Sequence, residues 1–300
     1  MWLDKQLSKM KKFALVFTLL FVAQLTGQTL LQYNFSVGDK FTINQQATQH
    51  ITQDISGMIQ EINNDLFGTM SFEVVKADKE TFTFKMEFKS LKMLMSSPTL
   101  GELSNVDSAS DDDSDITSMM FKGILNVPIT IVMGRDGKIK SVTGGDLLIE
   151  SMFKAVDITE PEIIEASKSQ LEKQFGSEAL SNSFEQMTYL FSTDKVKVNS
   201  KWKNSYQGDM SAETTWTLSE INKNNFKLSG VAATTMNSID ETISMTLNGT
   251  QSTTVTGNSK TGLFTELIVT GENTGNTVYT TQEITIPTTI KSTITYKIIQ

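Results

Sequence analysis

Side chains that could catalyse a reaction are scarce in this sequence. His50 is the only histidine and the chain contains no cysteine, which excludes histidine-paired nucleophiles, multi-histidine metal centres and thiolate chemistry. There is no Gly-x-Ser-x-Gly elbow, glycine-rich phosphate loop or His-Glu-x-x-His motif. His50 stands between Gln49 and Ile51 in a Gln- and Thr-rich stretch, which is typical of a surface or edge position. We therefore expect no enzyme, no catalytic residues and no cofactor.

One enzymatic class stays open, because a glycoside hydrolase needs only two suitably placed carboxylates and leaves no short motif. Against it, Trp202 and Trp216 are the only tryptophans after residue 27, so few large aromatic side chains are available to line a sugar cleft. Both tryptophans also stand at repeated strand positions, which favours packing in a core. A carboxylate-dependent hydrolase is therefore the least favoured hypothesis.

The acidic run from Asp107 to Asp115 contains the one candidate cation site. Its members Asp111, Asp113 and Asp115 have the alternate spacing of a calcium loop. However, Ile116 stands where such a loop needs glycine, and Lys122 stands where it needs glutamate. The pattern favours a solvated loop, and we expect no metal.

Two apolar faces could instead hold a ligand. The alternation over 81–88 predicts a strand with one apolar face, and a later segment repeats apolar residues at helical spacing. Methionines are frequent in both regions, and their flexible thioethers either fill a core or line an adaptable cavity. A curved sheet with a helical cover can enclose an apolar ligand. The candidate ligand-binding residues are Phe82, Phe84, Met86, Phe88, Leu180, Phe184 and Met187.

The strand at 81–88 belongs to a segment that occurs twice. Residues 72–88 align without a gap on residues 216–232, so that Phe72 falls on Trp216 and Phe84 falls on Leu228. Before each copy stands a turn pattern, VGDKF at 37–41 and VKVNSKW at 196–202. This repeat predicts a duplicated antiparallel β architecture.

The rest of the first copy gives several local predictions. Residues 33–43 are expected to form a strand, a turn at Gly38-Asp39 and a second strand. Between Phe41 and Phe72, the Gln- and Thr-rich residues 45–53 and the Ile- and Met-containing residues 55–66 predict either two long strands or a strand and a short helix. After Ser90 the apolar residues move from even to odd positions, which indicates a β-bulge or a change to two-sided burial.

Further along, a polar stretch and then an apolar stretch precede a turn. Residues 98–118, including an acidic loop at 104–118, are too polar to bury a strand face and predict a mobile loop. Residues 121–133 regain strand character. Gly134-Arg135-Asp136-Gly137 then predicts a hairpin.

Helices are expected between the two copies. Thr159, Pro161 and Glu162 form a start signal, Gly176 is a stop, and Ser177 opens a second helix that reaches residue 191. The fold class is therefore α+β, mainly antiparallel β: a duplicated curved sheet or half-open barrel with a two-helix insertion covering one face. We expect repeat one at 28–156, a helical connection at 157–192 and repeat two at 193–300, all in one structural unit.

The N-terminus predicts export. Lys9, Lys11 and Lys12 precede an apolar run at 13–22, which is the layout of a signal peptide and too short for a permanent membrane span. We expect residues 1–27 to be removed, with Met10 as an alternative start. The absence of cysteine fits an exported bacterial protein. The expected location is the periplasm or the cell exterior.

Charge restricts the partners. Without residues 1–27 the chain has 22 basic and 33 acidic residues and a formal charge of −11, compared with −8 for the whole sequence. Such a chain is not expected to bind nucleic acid or an anionic membrane surface. The expected partners are a lipid or an envelope protein, and the sequence does not determine the oligomeric state.

Taken together, the signal peptide, the VGDKF turn, the helices leading into VKVNSKW and the glycine-containing hairpins resemble a family of uncharacterised secreted β-rich proteins from flavobacteria and their relatives. In outline such proteins are similar to the half-open barrels of periplasmic lipoprotein carriers and mycobacterial lipid-binding lipoproteins. This resemblance implies a curved sheet that handles lipid. Many of those proteins carry a lipid-modified cysteine, which this sequence lacks.

Two main hypotheses follow. The first is an exported non-enzymatic protein that binds an apolar ligand, such as an acyl chain, between the curved sheet and the second helix. The alternative is an envelope or surface interaction module with a closed core and a Thr- and Asn-rich face that meets a protein or glycan.

Overall fold

The computed structural model describes residues 28–208, 210–239, 242–281 and 284–299. The predicted signal peptide, residues 1–27, lies outside them. Within these ranges the chain forms twelve strands and four helices: β1 Lys40–Ile55, β2 Met58–Ala77, β3 Thr81–Ser97, β4 Gly101–Asp107, α1 Ile116–Gly123, β5 Ile129–Gly134, β6 Ile139–Thr143, α2 Gly145–Ala155, α3 Pro161–Phe175, α4 Ser177–Thr188, β7 Lys201–Tyr206, β8 Met210–Ile221, β9 Asn225–Ile239, β10 Ile243–Asn258, β11 Phe264–Tyr279 and β12 Ile284–Ile299. None of the helices in the described ranges has the length and apolar character needed to cross a membrane.

All twelve strands join one antiparallel sheet. Its order is β6-β5-β3-β2-β1-β12-β11-β10-β9-β8-β7, with β4 paired to the far part of β3. Helix α4 packs against both edge strands, β6 and β7. The sheet must therefore curve until its two edges flank this helix, which confirms the mainly antiparallel, half-open fold.

The two copies of the repeated segment have the same strand register. Phe41 of β1 pairs with Phe72 of β2, and the equivalent Trp202 of β7 pairs with Trp216 of β8. The preceding turns match as well, since the backbone amide of Gly38 donates to the carbonyl of residue 74 and that of Asn199 donates to the carbonyl of residue 218. Similar sequence here produces the same hydrogen-bond ladder.

The hairpin turns and their irregularities also match. Asp78 Oδ1 accepts hydrogen bonds from the backbone amides two and three residues later, and Asn222 does the same in the second hairpin. Such side-chain caps stabilise a tight turn. The ladder then shifts register at one equivalent step, after Val74 in β2 and after Leu218 in β8.

The phase change predicted after Ser90 is a β-bulge. Met70 pairs with Phe88, the next residue back in β2 pairs with Ser90, and Lys89 is the extra residue. The bulge moves the inward-facing positions of β3 from Phe88 to Leu91, both of which are buried. A bulge changes the side-chain parity of one strand without ending the pairing.

The loop predicted over 98–118 is wrong in two places. Residues 101–107 form β4, and α1 begins at Ile116 with Asp115 as its cap, accepting from the Ser118 amide at 3.0 Å. Strand β4 buries only Val106 among its large apolar residues. It forms because backbone groups pair along β3, a contribution that side-chain composition does not report.

Two predicted strands are also corrected. The strand expected over 121–133 starts at Ile129, because Phe121 belongs to α1 and packs on Phe175, with ring centroids 5.6 Å apart. The described segment before Lys40 joins no strand ladder, although Thr29 forms an isolated bridge with Val196. Instead, the Tyr33 amide donates to the carbonyl of residue 135 and that of Asn34 donates to the carbonyl of residue 261, in the turns of the two repeats.

The remaining predictions concern β1, β2 and the helices. Residues 55–66 belong to two long strands joined at Ser56-Gly57, which confirms that alternative. The two predicted helices are α3 and α4, although the cap of α3 is Glu160 rather than Thr159. Helices α1 and α2 were not predicted.

Candidate functional site: an apolar groove beneath helix α4

A groove of about 320 Å³ lies between helix α4 and the inner face of the sheet. Its floor comes from four neighbouring strands, because residues two apart on a strand face the same side. The bulge in β3 keeps that wall apolar beyond Phe88 by turning the odd-numbered residues inward. The apolar strand residues that line the groove are Leu66, Met70, Phe88, Leu91, Met93 and Ile294.

The roof of the groove is helical. Phe175 ends α3, and Leu180, Phe184 and Met187 form the inner stripe of α4. All four are buried. The spacing of three and four residues places them on one side of the helix, facing the sheet.

The predicted ligand-binding residues separate into two groups. Phe88, Leu180, Phe184 and Met187 line the groove together. The other three, Phe82, Phe84 and Met86, are at most 3% exposed and pack in the core nearer the hairpin turns.

That core is nearly solid. Among the described residues, a void of about 30 Å³ is bordered by Phe84 and by Phe35, Phe41 and Phe72. Rings in this cluster meet edge to face, such as Phe35 on Phe84 at 5.5 Å, or stack, such as Phe41 on Phe72 at 5.1 Å. A void of this size with a mainly apolar lining has too few polar partners to hold a water.

Helix α4 is fixed to both edges of the sheet. Its Glu185 carboxylate accepts from the Ile139 backbone amide of β6 at 3.0 Å, and Thr188 Oγ1 donates to the carbonyl of Gly137 at 2.7 Å. On the other edge, Trp202 Nε1 and Asn204 Nδ2 donate to carbonyls of Leu190 and of residue 189, each at 3.0 Å. On β6 the helix thus satisfies a backbone amide that an edge strand would leave unpaired, whereas on β7 the contacts come from two side chains.

The end of α4 near the turns is closed tightly. Gly137 has φ +95°, and a Cβ there would overlap the carbonyl of Thr188, so only glycine fits. The Tyr33 hydroxyl donates to the same carbonyl at 3.0 Å. Burial raises the pKa of Tyr33 well above its usual value, and nearby Asp136 adds to this shift.

Repeat two closes its interior with its own side chains. Trp216 is 4% exposed and lies across Gly230, where a Cβ would be 2.8 Å from the indole ring. Burial raises the pKa of Tyr296 to about 12, with a further contribution from neighbouring Tyr206. Burial likewise raises the pKa of Tyr206, against a hydrogen bond from Gln251.

The acidic residues singled out for calcium have other partners. Asp111 pairs with Lys122 at 3.2 Å and its side chain is 97% exposed, while Asp115 caps α1. Among the described residues, no three histidine or acidic side chains are grouped as a metal site would require. His50 lies on β1, where Nδ1 is 2.8 Å from Asn63 Oδ1 on β2. None of the carboxylates in the described ranges lines the α4 groove.

Sequence reasoning missed part of the lining. Met93 carried a signal, because it follows the phase change in β3. No sequence signal placed Gln45, Ile294 or Tyr296 at the groove, because they lie on β1 and β12, which pair although most of the chain separates them. The polar side chains that border the groove are Gln45, Gln174, Ser183, Gln186 and Tyr296.

The geometry defines a class of protein: an open antiparallel β-barrel whose gap is filled by a helix above an apolar groove. Within this class, the chain belongs to DUF6263, a family of unknown function, whose pattern matches residues 79–264. The match extends from the turn between β2 and β3 to the start of β11 and includes α4. No curated protein sequence matches the chain.

Several solved structures align with the chain, all with TM-scores below 0.5. A structure of lipid–protein interactions in lipovitellin aligns with 10% identity and a TM-score of 0.46, covering 89% of this chain and 26% of that one. The chain thus spans about a quarter of lipovitellin. An outer membrane channel from Pseudomonas putida F1 aligns with 8% identity, a TM-score of 0.23 and coverages of 89% and 97%. Salmonella typhi OmpF, in complex with daunomycin, aligns with 6% identity, a TM-score of 0.24 and coverages of 88% and 99%.

Proposed function

We propose that this is an exported, non-enzymatic protein that binds an apolar ligand, such as a lipid acyl chain, in the α4 groove. The observation that carries the proposal is the groove of about 320 Å³ between the inner stripe of α4 and the bulged wall of β3, which no charged side chain in the described part of the chain lines. Its size falls within the range of about 300–1,000 Å³ found for small-ligand sites.

The physical basis is the burial of apolar surface. An acyl chain in the groove would exchange water for contacts with Leu66, Met93 and the α4 stripe, gaining roughly 25 cal/mol per Å² of apolar surface removed from water. Methionine side chains at Met70, Met93 and Met187 can adapt to ligands of different shape.

Ligand uptake by the purified, delipidated protein tests the proposal. Native mass spectrometry should detect lipid adducts after incubation with vesicles, and 1-N-phenylnaphthylamine should gain fluorescence with saturable binding. A protein that carries and takes up no lipid, and leaves the probe unbound, would overturn the proposal.

A matched pair of variants locates the site. Met93→Trp fills the groove from β3, whereas Leu94→Trp places the same side chain on the opposite face of that strand. We expect Met93→Trp to weaken probe binding severalfold and Leu94→Trp to leave it unchanged. Equal effects of the two variants would assign the probe to another site.

A second candidate function is supported by exposed apolar residues at the tips of the β1–β2 and β3–β4 hairpins. Met58, Ile59 and Leu100 are 71%, 59% and 65% exposed, and strands β2 and β3 are paired as far as Asn63 and Ser96, just below these tips. Exposed apolar groups on neighbouring strands mark interaction surfaces. Acidic Asp54 pairs with Ile59, and Glu102 follows Leu100 by two residues, which favours an envelope protein with a basic, apolar surface. Cross-linking in envelope extracts should then yield an adduct that disappears in Met58→Asp/Leu100→Asp, and an adduct unaffected by these changes would refute this function.

A further inference from the structure

The polar border of the α4 groove is neutral. It consists of the amides of Gln45, Gln174 and Gln186 with the hydroxyls of Ser183 and Tyr296. A tyrosine hydroxyl is protonated at physiological pH, and burial raises the pKa of Tyr296 further. Among the described residues, neither lysine nor arginine lines the groove. An ionised carboxylate or phosphate moved from water into such surroundings would lose hydration without gaining a cation.

The amides are available to a ligand. The side chains of Gln45, Gln174 and Gln186 make no hydrogen bond to another described residue. Each amide offers two donors and one acceptor oxygen. This set complements a hydroxyl or amide group, which both donates and accepts, and it also complements an ester group, which only accepts.

The approach to the groove is negative. Gln174, Ser183 and Gln186 also border an outer groove of about 740 Å³, where the charged side chains among the described residues are Glu172, Glu178 and Lys173. The chain after residue 27 carries a formal charge of −11. An anionic head group at this mouth would meet a repulsive field.

We propose that the groove selects an uncharged amphiphile, with a hydroxyl, ester or amide head group, over an ionised fatty acid or anionic lipid of equal chain length. This inference rests on the proposed function, since it specifies the ligand class of the same groove. The amides orient the head group at the mouth, and the α4 stripe and the β3 wall hold the chain.

Competition between two ligands of the same chain length tests the selection. Hexadecanol and hexadecanoate displace 1-N-phenylnaphthylamine from the delipidated protein at about pH 9, where the acid is ionised. We expect hexadecanol to bind at least about tenfold more tightly, a difference of about 1.4 kcal/mol. Equal or tighter binding of hexadecanoate overturns the selection while lipid binding stands. Failure of both ligands and of the probe itself overturns the proposed function.

A cation introduced into the groove should reverse the preference. Gln45→Lys places an ammonium inside, whereas Gln46→Lys places one on the exposed outer face of the same strand, with the same change in net charge. We expect Gln45→Lys to bind hexadecanoate more tightly than hexadecanol, and Gln46→Lys to behave like the parent. Gln186→Lys makes the same test from the helix if Gln45→Lys does not fold. Unchanged preference in a folded groove variant counts against the inference.

Discussion

The two repeated hairpins share a backbone but differ in what they enclose. Met70 and Phe88 form a cross-strand pair in repeat one, and the equivalent pair in repeat two is Thr214 and Ala232. Register and turns are kept because backbone hydrogen bonds and turn caps specify them. Side-chain volume on the inner face is free to vary. In repeat one, large residues form the wall of a groove under α4. In repeat two, the smaller residues at these positions leave the interior to be filled by the repeat's own side chains.

Removing a core ring should have the largest effect. Phe84 is 3% exposed and its equivalent, Leu228, is 2% exposed. We expect Phe84→Ala to lower the free energy of unfolding by about 3–5 kcal/mol, through lost contacts and a new cavity. Phe84→Leu, which installs the residue of repeat two, should cost less than about 1.5 kcal/mol. Urea denaturation measures both, and equal losses would show that the repeats do not share one packing scheme here.

Enlarging the inner face of repeat two should be the next most damaging change. Gly230→Met introduces the residue that stands at position 86 of repeat one, directly beneath the Trp216 ring. We expect a loss of about 1–3 kcal/mol from overpacking. Ser229→Met, on the other face, is the control, and Trp216→Ala should relieve much of the loss in the double variant. A stable Gly230→Met protein would mean that repeat two has room for a groove of its own.

The helix that fills the gap offers a smaller test. Strand β6 follows a hairpin turn near the end of repeat one, and β11 follows the comparable turn in repeat two. Strand β11 pairs with β12, whereas β6 meets α4, where Glu185 accepts a hydrogen bond from the Ile139 amide. We expect Glu185→Ala to cost about 1–3 kcal/mol, because this donor loses a charged acceptor. Hydrogen exchange at Ile139 should accelerate, while exchange at Leu267 of β11 should not. If both amides are unaffected, the helix does not protect this edge.

The smallest effect concerns the outer face and pH. Hydrogen bonds from Lys85 and Lys89 hold the pKa of Glu87 below its usual value, and the equivalent residue in repeat two is exposed Val231. A lowered folded pKa gives stability that is present above the unfolded value of about 4.3 and is lost as the pH falls through the folded pKa. Glu87→Val should therefore flatten the acid limb of the stability curve slightly. An unchanged acid limb would contradict this.

Prediction from sequence succeeded where local pattern and local structure coincide. The bulge at Lys89 was visible because the apolar positions of β3 change parity after it, and the α4 stripe was visible because Leu180, Phe184 and Met187 have helical spacing. Strand β4 was predicted to be a loop because it buries only one large apolar residue and depends on backbone pairing with β3. A composition rule does not detect such a strand.

The groove itself was only half predictable. Phe88 and the α4 stripe were expected on opposite sides of an enclosed ligand, and the structure brings them together. Gln45, Ile294 and Tyr296 became its neighbours through the pairing of β1 with β12. That pairing joins residues more than 200 positions apart, and nothing in either strand specifies the partner.

By itself, the sequence determined the alternation of each strand, the matching turns of the two repeats and the apolar stripe of α4, because these depend on residues close together in the chain. The tertiary structure decided that helix α4, rather than a strand, lies between edges β6 and β7. It also decided that a groove remains beneath α4. Closure of this sheet depends on the summed twist of twelve strands and on the volumes packed between them, and both are properties of the whole fold.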